Sequence, residues 1–406
     1  MGANSCPHNL KSRGYMKDIN QTPKKSPISV IVLTAVITFI LTTVIFCLLF
    51  LDGKVIKLKL LDYYISNYYI GDVDSKETEK LVMNGYIASL NDKYAAFFAS
   101  EDAENRNNRL LGVENGLGIT IFLHPDNNTI CIKSVASGSS ADKAGLLKGD
   151  EILEVDGQNV TKMNYNDAVN LIKRELGKTV NLKVSRDNTT IDISAEYANY
   201  TAQSIYYHKI ENFGYVEIYS FNSQTVPQFK TAVENLVSSG VKGLIFDVRG
   251  NGGGTVESVK EIVDVLVPEG VIMTSIYKNG HKEELFSDAN EIDLPMAVLT
   301  DKASASAAEL FSASIRDFNK GVLIGTTTYG KAVMQGTFNF PDKSSAVFTI
   351  AEFYTHSGET YNKKGLEPDI KVELNDEQIK YFNLLADNED PVKVAAVEYL
   401  KGVCNE

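Results

Sequence analysis

A chain of 406 residues with 44% apolar content is too long for one ordinary domain and predicts two or three, each with a sizeable core. Its formal net charge of −12 argues against nucleic acid as the main partner, because phosphate recognition needs a basic surface. Cys6, Cys47, Cys131 and Cys404 form no CxxC pair and have no histidines at ligand spacing; structural zinc and a disulfide framework are not expected, and an intermolecular bridge stays open.

In chain order, Ile28 to Leu51 comes first: 24 residues without a charge. At about 1.5 Å per residue a helix over it reaches roughly 36 Å, enough to cross a hydrocarbon core. The preceding tail, residues 1–27, carries Lys11, Arg13, Lys17, Lys24 and Lys25 against Asp18. The positive-inside bias puts that tail in the cytoplasm and everything after Leu51 on the outside; Lys54, Lys57 and Lys59 weaken the bias without reversing it. A cleaved signal peptide would have a shorter apolar region closed by small residues, and Phe46–Leu51 offers no such site. The expectation is an uncleaved single-pass anchor (28–51) in the cell membrane.

Residues 54–111 read as a helical arm, with Leu58, Leu61 and Ile65 and then Leu81, Val82, Ile87 and Leu90 at helical spacing. The polar run Ser100–Arg109 reads as a solvated connection. From 112 to 197 the pattern changes to short β-branched or alternating strands at Leu117–Leu123, Thr129–Val135, Glu151–Val155, Val180–Ser185 and Thr190–Ala195. One helix, Tyr165–Leu176 with Asn164 as N-cap, interrupts them. From 198 to 375 strand and helix alternate, which predicts right-handed crossovers and a layered α/β core. A helical segment, 376–406, follows. The fold class is α/β (α+β) and multidomain.

Two stretches carry chemistry. Gly116-Leu117-Gly118-Ile119, with Ser140–Leu153 and Val155-Asp156-Gly157 downstream, resembles a PDZ domain, a β-sandwich or barrel-like module. Backbone N–H groups in such a glycine turn can receive a peptide carboxylate, and the adjoining strand edge can accept an added strand. The plainer reading, that glycines only make tight turns, holds for Gly145 and Gly149. Peptide binding is expected at Gly116, Leu117, Gly118 and Ile119.

The second stretch is hydrolytic. No GxSxG elbow is present, and the five histidines form no pattern with a serine. His356 adjoins Ser357, but neighbours in an extended segment face opposite ways. A lysine base is the next candidate, since serine-lysine variants perform the same acyl chemistry. Ser306 falls where a strand ending at Thr300 turns into a helix starting at Ala307, beside free N–H groups and a favourable dipole. A lysine acting as base must be neutral to take a proton, which burial achieves by lowering its pKa.

The run Lys302–Leu310 (KASASAAEL), Asp317 and Gly325–Gln335 (GTTTYGKAVMQ) together resemble the carboxyl-terminal processing peptidases, or tail-specific proteases. That resemblance implies Ser306 as nucleophile, Lys331 as general base and Gln335 as the residue orienting the lysine. Ala308 departs from the family, where serine is usual, two positions past the nucleophile. Phe246–Gly254 resembles the family's D-L-R-x-N-P-G-G with Gly252 in place of proline, and assigns Gly253 or Gly254, with the Ala307 amide, to an oxyanion hole. Asp317 reads as a structural partner to a nearby loop. Asn84–Tyr94 and Tyr354–Asp369 extend the likeness to about residues 60–375.

The expected partners are protein or peptide substrates with free carboxyl termini, with the membrane engaged through one helix and no cofactor, metal or nucleotide. Self-assembly as a homodimer or larger oligomer is implied by the resemblance alone. A membrane-tethered PDZ scaffold without activity is the competing reading, and the intact Ser306, Lys331 and Gln335 speak against it. A carbohydrate- or lipid-binding α/β protein would need an aromatic or acidic cleft motif that the sequence lacks.

Overall fold

The computed structural model describes residues 27–50 and 52–405; the basic tail with Cys6, Leu51 and Glu406 lie outside them. The chain divides into two compact units, residues 1–74 and 75–406.

In the first unit, α1 spans Pro27–Phe50 and α2 spans Gly53–Tyr68. Among the described residues, α1 is the one helix long and apolar enough to cross a membrane. Three of its hydroxyls are satisfied internally: those of Thr34, Thr42 and Thr43 donate to the carbonyls of Val30, Thr38 and Phe39, four residues back.

The second unit opens with α3 (Ser75–Ala88), β1 (Ala96–Phe98) and α4 (Ser100–Leu110). The arm is therefore not helical throughout. The apolar run Ala95–Phe98 takes a strand partner instead, Ala96 pairing with Val347, and Phe97 is buried there with Ile87 and Ala346. The polar run after it, expected to be a connection, forms α4, with Glu101 and Asp102 in its first turn and Arg109 in its last, matching the helix dipole.

Next come β2 (Val113–Gly116), β3 (Ile119–Leu123), β4 (Ile130–Val135), α5 (Ser140–Ala144), β5 (Glu151–Val155), β6 (Gln158–Asn159), α6 (Tyr165–Ile172), β7 (Thr179–Arg186), β8 (Thr189–Glu196) and β9 (Ala198–Thr201). The sheet order is β3-β4-β5-β7-β8, which leaves β3 at an edge. Asn164 caps α6 by accepting the Asp167 N–H (3.0 Å). The helix stops at Ile172, short of Leu176, because Lys173 turns to extended backbone.

The remainder is β10 (Ile205–Ile210), β11 (Phe213–Ile218), α7 (Thr225–Ser238), β12 (Leu244–Asp247), α8 (Val256–Asp264), β13 (Gly270–Tyr277), β14 (Lys282–Ser287), β15 (Met296–Thr300), α9 (Ala307–Asp317), β16 (Gly321–Gly325), β17 (Val333–Asn339), β18 (Ser345–Thr355), β19 (Ile370–Lys371), α10 (Asp376–Lys380) and α11 (Pro391–Cys404). A six-stranded sheet, β10-β11-β12-β15-β16-β19, is parallel from β11 onward. One face packs on α7, α8 and α9 through Phe229, Phe246 and Phe311; the other is covered by Val392, Ala396 and Leu400 of α11. A second, antiparallel sheet (β1-β18-β13-β14, with β17 also on β18) closes the helical side through Met273 and Phe353.

The cover helix is tied down by a buried charge cluster. Arg249 reaches Asp247 (2.6 Å) and Asp390 (2.7 Å), all at most 5% exposed, while Tyr215 donates to Asp247 (2.7 Å) and Asp390 caps α11 through the Val392 N–H (3.0 Å). Burial is the largest single influence and pushes the Asp247 carboxyl up, but Arg249 and the Tyr215 hydrogen bond together hold the group below the ordinary value of 3.8. Arg249→Met leaves two carboxylates buried without a counter-charge and is expected to cost about 3–5 kcal/mol in urea unfolding; a loss within about 1 kcal/mol contradicts this. The depressed carboxyl adds stability that is present above about pH 4 and is lost as the pH falls through its folded value, so the parent–variant gap narrows in acid.

Candidate active site

β15 delivers the chain to a turn built on Asp301, whose Oδ1 accepts the N–H groups of Ala303 (2.9 Å), Ser304 (2.9 Å) and, from the neighbouring loop, Gly250 (3.0 Å). Buried Ser304 donates to the Val248 carbonyl (2.8 Å), and the Ala305 N–H donates to the Asn251 carbonyl (2.9 Å). The two loops are thus stitched edge to edge just ahead of Ser306. That serine sits at φ +59°, ψ −115°, a left-handed position for a non-glycine residue. Such backbone costs on the order of 1–3 kcal/mol and persists only where neighbours enforce it.

The enforcing neighbour is Glu309, fully buried one turn into α9. Its Oε2 accepts the N–H groups of Ser306 (2.9 Å) and Lys331 (2.8 Å); its Oε1 accepts the Gly330 N–H (2.7 Å) and the Thr328 hydroxyl (2.5 Å). Thr328 in turn accepts the Leu366 N–H (2.7 Å). One carboxylate oxygen therefore joins the backbones of residues 306 and 331.

The Lys331 amine lies 4.6 Å above the Tyr94 ring. Burial lowers its pKa from the ordinary lysine value; Asp92 and Glu309 oppose that by favouring the ammonium, and Arg106 and Lys93 reinforce it. Among the described residues no hydrogen bond joins this amine to Ser306 or to Gln335. The Gln335 carboxamide bonds instead to the Val333 carbonyl (3.3 Å) and Thr349 Oγ1 (3.5 Å). It follows a register shift between Met334 and Gln335 that sets it opposite Thr349.

Of the two oxyanion glycines, Gly253 is the one against Ser306. A methyl group there would meet Ser306 Cβ at 2.9 Å and the Ala307 nitrogen at 3.0 Å, and its φ of +103° suits only glycine. Its N–H already donates to Asn251 Oδ1 (2.8 Å). Gly254 bridges to Phe221, whose carbonyl would lie 1.9 Å from an added methyl. Asp317 is apart from this cluster, accepting the Thr355 hydroxyl (2.6 Å) and the Ser357 N–H (3.2 Å). Gly116–Ile119 lies in the other β module. Leu117 is buried in that module's core, Gly118 is packed against Ser139, and the Leu117 and Gly118 carbonyls accept from Ala141 and Ala136. The Tyr165 hydroxyl of α6 reaches the Ile121 carbonyl on the free edge of β3 (3.4 Å).

The family model for peptidase family S41 matches residues 212–372, and that for the PDZ domain matches residues 110–185. The carboxy-terminal processing protease CtpA of Bacillus subtilis (strain 168) is 33% identical over 330 residues, covering 80% of this chain and 70% of the relative. CtpB of the same strain is 29% identical, over 79% of this chain and 72% of its own. The chain belongs to peptidase family S41. It is a serine-type peptidase of the carboxy-terminal processing group with a PDZ domain. A solved S41 protease candidate from Bacteroides fragilis NCTC 9343 shares the fold, with a TM-score of 0.60 at 19% identity over 82% of this chain and 93% of that one.

Sequence reasoning gave no role to Glu309, Thr328, Asp92 or Tyr94. The first was readable: serine followed three residues later by glutamate at a helix start is capping-box spacing. Glu309→Ala strands three N–H groups and a hydroxyl; at roughly 1–3 kcal/mol per unsatisfied group, unfolding is expected to become easier by about 3 kcal/mol or more. A denaturation midpoint equal to the parent's would rule out the carboxylate as the tie.

Proposed function

We propose that this S41 peptidase is a membrane-anchored endopeptidase that cleaves exported proteins, near or from their carboxyl termini, through an acyl-enzyme on Ser306. Lys331, neutral, takes the Ser306 proton as Oγ bonds to the scissile carbonyl carbon. It then passes that proton to the departing amine, and a water molecule releases the acyl group by the same steps in reverse. Gln335, an uncharged hydrogen-bonding group, orients the amine without holding it charged once its carboxamide turns from Val333 and Thr349. The Ala307 amide and one of Gly253 and Gly254 receive the oxyanion. The observation carrying this reading is the shared Glu309 oxygen, which keeps residues 306 and 331 in one rigid frame while Lys331 is buried.

The PDZ domain (112–197) takes the substrate's free carboxylate at Gly116–Ile119, with the tail added along β3 and α6 as the second wall; the free edge of β3 supports this. The core spans 198–375, and α1 is the anchor that keeps residues 1–27 cytoplasmic and the rest outside. The basic tail before it and the lack of small residues after it support that orientation.

Casein digestion by the full chain in detergent is expected to fall at least about a thousand-fold in Ser306→Ala and in Lys331→Ala. Digestion by Ser306→Ala at the parent rate would refute the nucleophile. For the PDZ groove, an apolar tail peptide with a free carboxylate is expected to bind about ten-fold or more tightly than its amidated form, since each charge-assisted hydrogen bond contributes about 1.5–3 kcal/mol. Equal affinities remove the groove from the scheme.

A further inference from the structure

One wall of the Lys331 pocket comes from residues that neither family match includes, since these cover 110–185 and 212–372. Between α3 and β1 the chain turns at Asn91 with positive φ and presents Asp92, Lys93 and Tyr94 in succession. Asp92 is fastened at both ends: one carboxylate oxygen accepts the Tyr94 N–H (3.0 Å), the other the Thr349 N–H of β18 (2.9 Å). Thr349 is the residue paired with Gln335. Lys93 Nζ lies 4.8 Å from both the Tyr94 and the Tyr329 rings and donates to the Tyr329 hydroxyl (3.3 Å), two residues before Lys331. The Tyr94 ring lies under the Lys331 amine, and its hydroxyl is buried. From α4, Arg106 donates to Thr337 of β17 (3.2 Å).

We infer that Asp92 and Tyr94 are positioning residues for the general base, Tyr94 walling the Lys331 amine from water and Asp92 serving as its counter-charge. This rests on the reading of Lys331 as the base. The ionisable groups acting on the amine are Asp92, Lys93 and Arg106 from the amino-terminal segment and Glu309 from α9, with Tyr94 as the ring beneath it. Two opposed effects follow. Exclusion of water disfavours the ammonium by more than the ring face favours it, so losing the wall raises the pH at which the amine becomes free. The Asp92 charge favours the ammonium, so losing it lowers that pH. A residue that merely stabilised the fold would shift neither.

The test is the rate of covalent labelling of Ser306 by a fluorophosphonate probe, on the full chain in detergent, from about pH 5 to about pH 10. Asp92→Asn is expected to move the rise in rate about one pH unit lower, and Tyr94→Ala about one unit higher. Tyr94→Phe, which keeps the ring, stays at the parent position. Parent-like inflections in Asp92→Asn and Tyr94→Ala, or rates scaled down equally at every pH, overturn the assignment. If Asp92→Asn does not fold, as its melting curve would reveal, the Tyr94 pair decides alone: parent-like inflections in both overturn the assignment. Labelling of Ser306→Ala at the parent rate rejects the dyad itself and the inference with it.

Discussion

A single buried carboxylate holds the candidate centre together. Glu309 cannot exist at zero exposure without donors around it, because an unpaired charge in the interior costs several kcal/mol. Those donors come from both halves of the site: the Ser306 N–H on one side, the Gly330 and Lys331 N–H groups and the Thr328 hydroxyl on the other. The requirement runs both ways. Ser306 keeps a left-handed backbone because its nitrogen is held, and the 328–331 loop keeps its course because three of its donors are spent on the same group. Everything proposed for the lysine and the serine presumes this tie.

Around it, the site draws on widely separated parts of the chain. The loop at Gly253 supports Ser306 from the parallel sheet, and β17 carries Gln335 on the antiparallel one. Asp92–Tyr94 closes over the lysine from the amino-terminal side. Two sheets with a helical layer between them are what allow a helix start and a strand start to meet.

Much of this was legible in the residues. The strands at Met296–Thr300 and Glu151–Val155, the helix Ala307–Asp317 and the cap at Asn164 show up in local pattern, because burial period and capping chemistry act over a few residues. The site motifs were legible as motifs. What local pattern could not reveal was pairing across distance. Ala95–Phe98 is an apolar run that suits a helix as well as a strand, and only Val347 settles which. Likewise no residue near Asp92 in the chain announces that Thr349 lies beside it. The direction of the Gln335 side chain depends on a register shift that no nearby residue announces.

Strand β18 takes β1 on one side and β13 on the other, and β17 also pairs with it. Ala96 is made early in synthesis and Val347 late, so the antiparallel sheet can close only once most of the polypeptide exists. Long-range closure of this kind is slow and comes late in folding. The pocket proposed for Lys331 would therefore be completed only after the serine loop has been made.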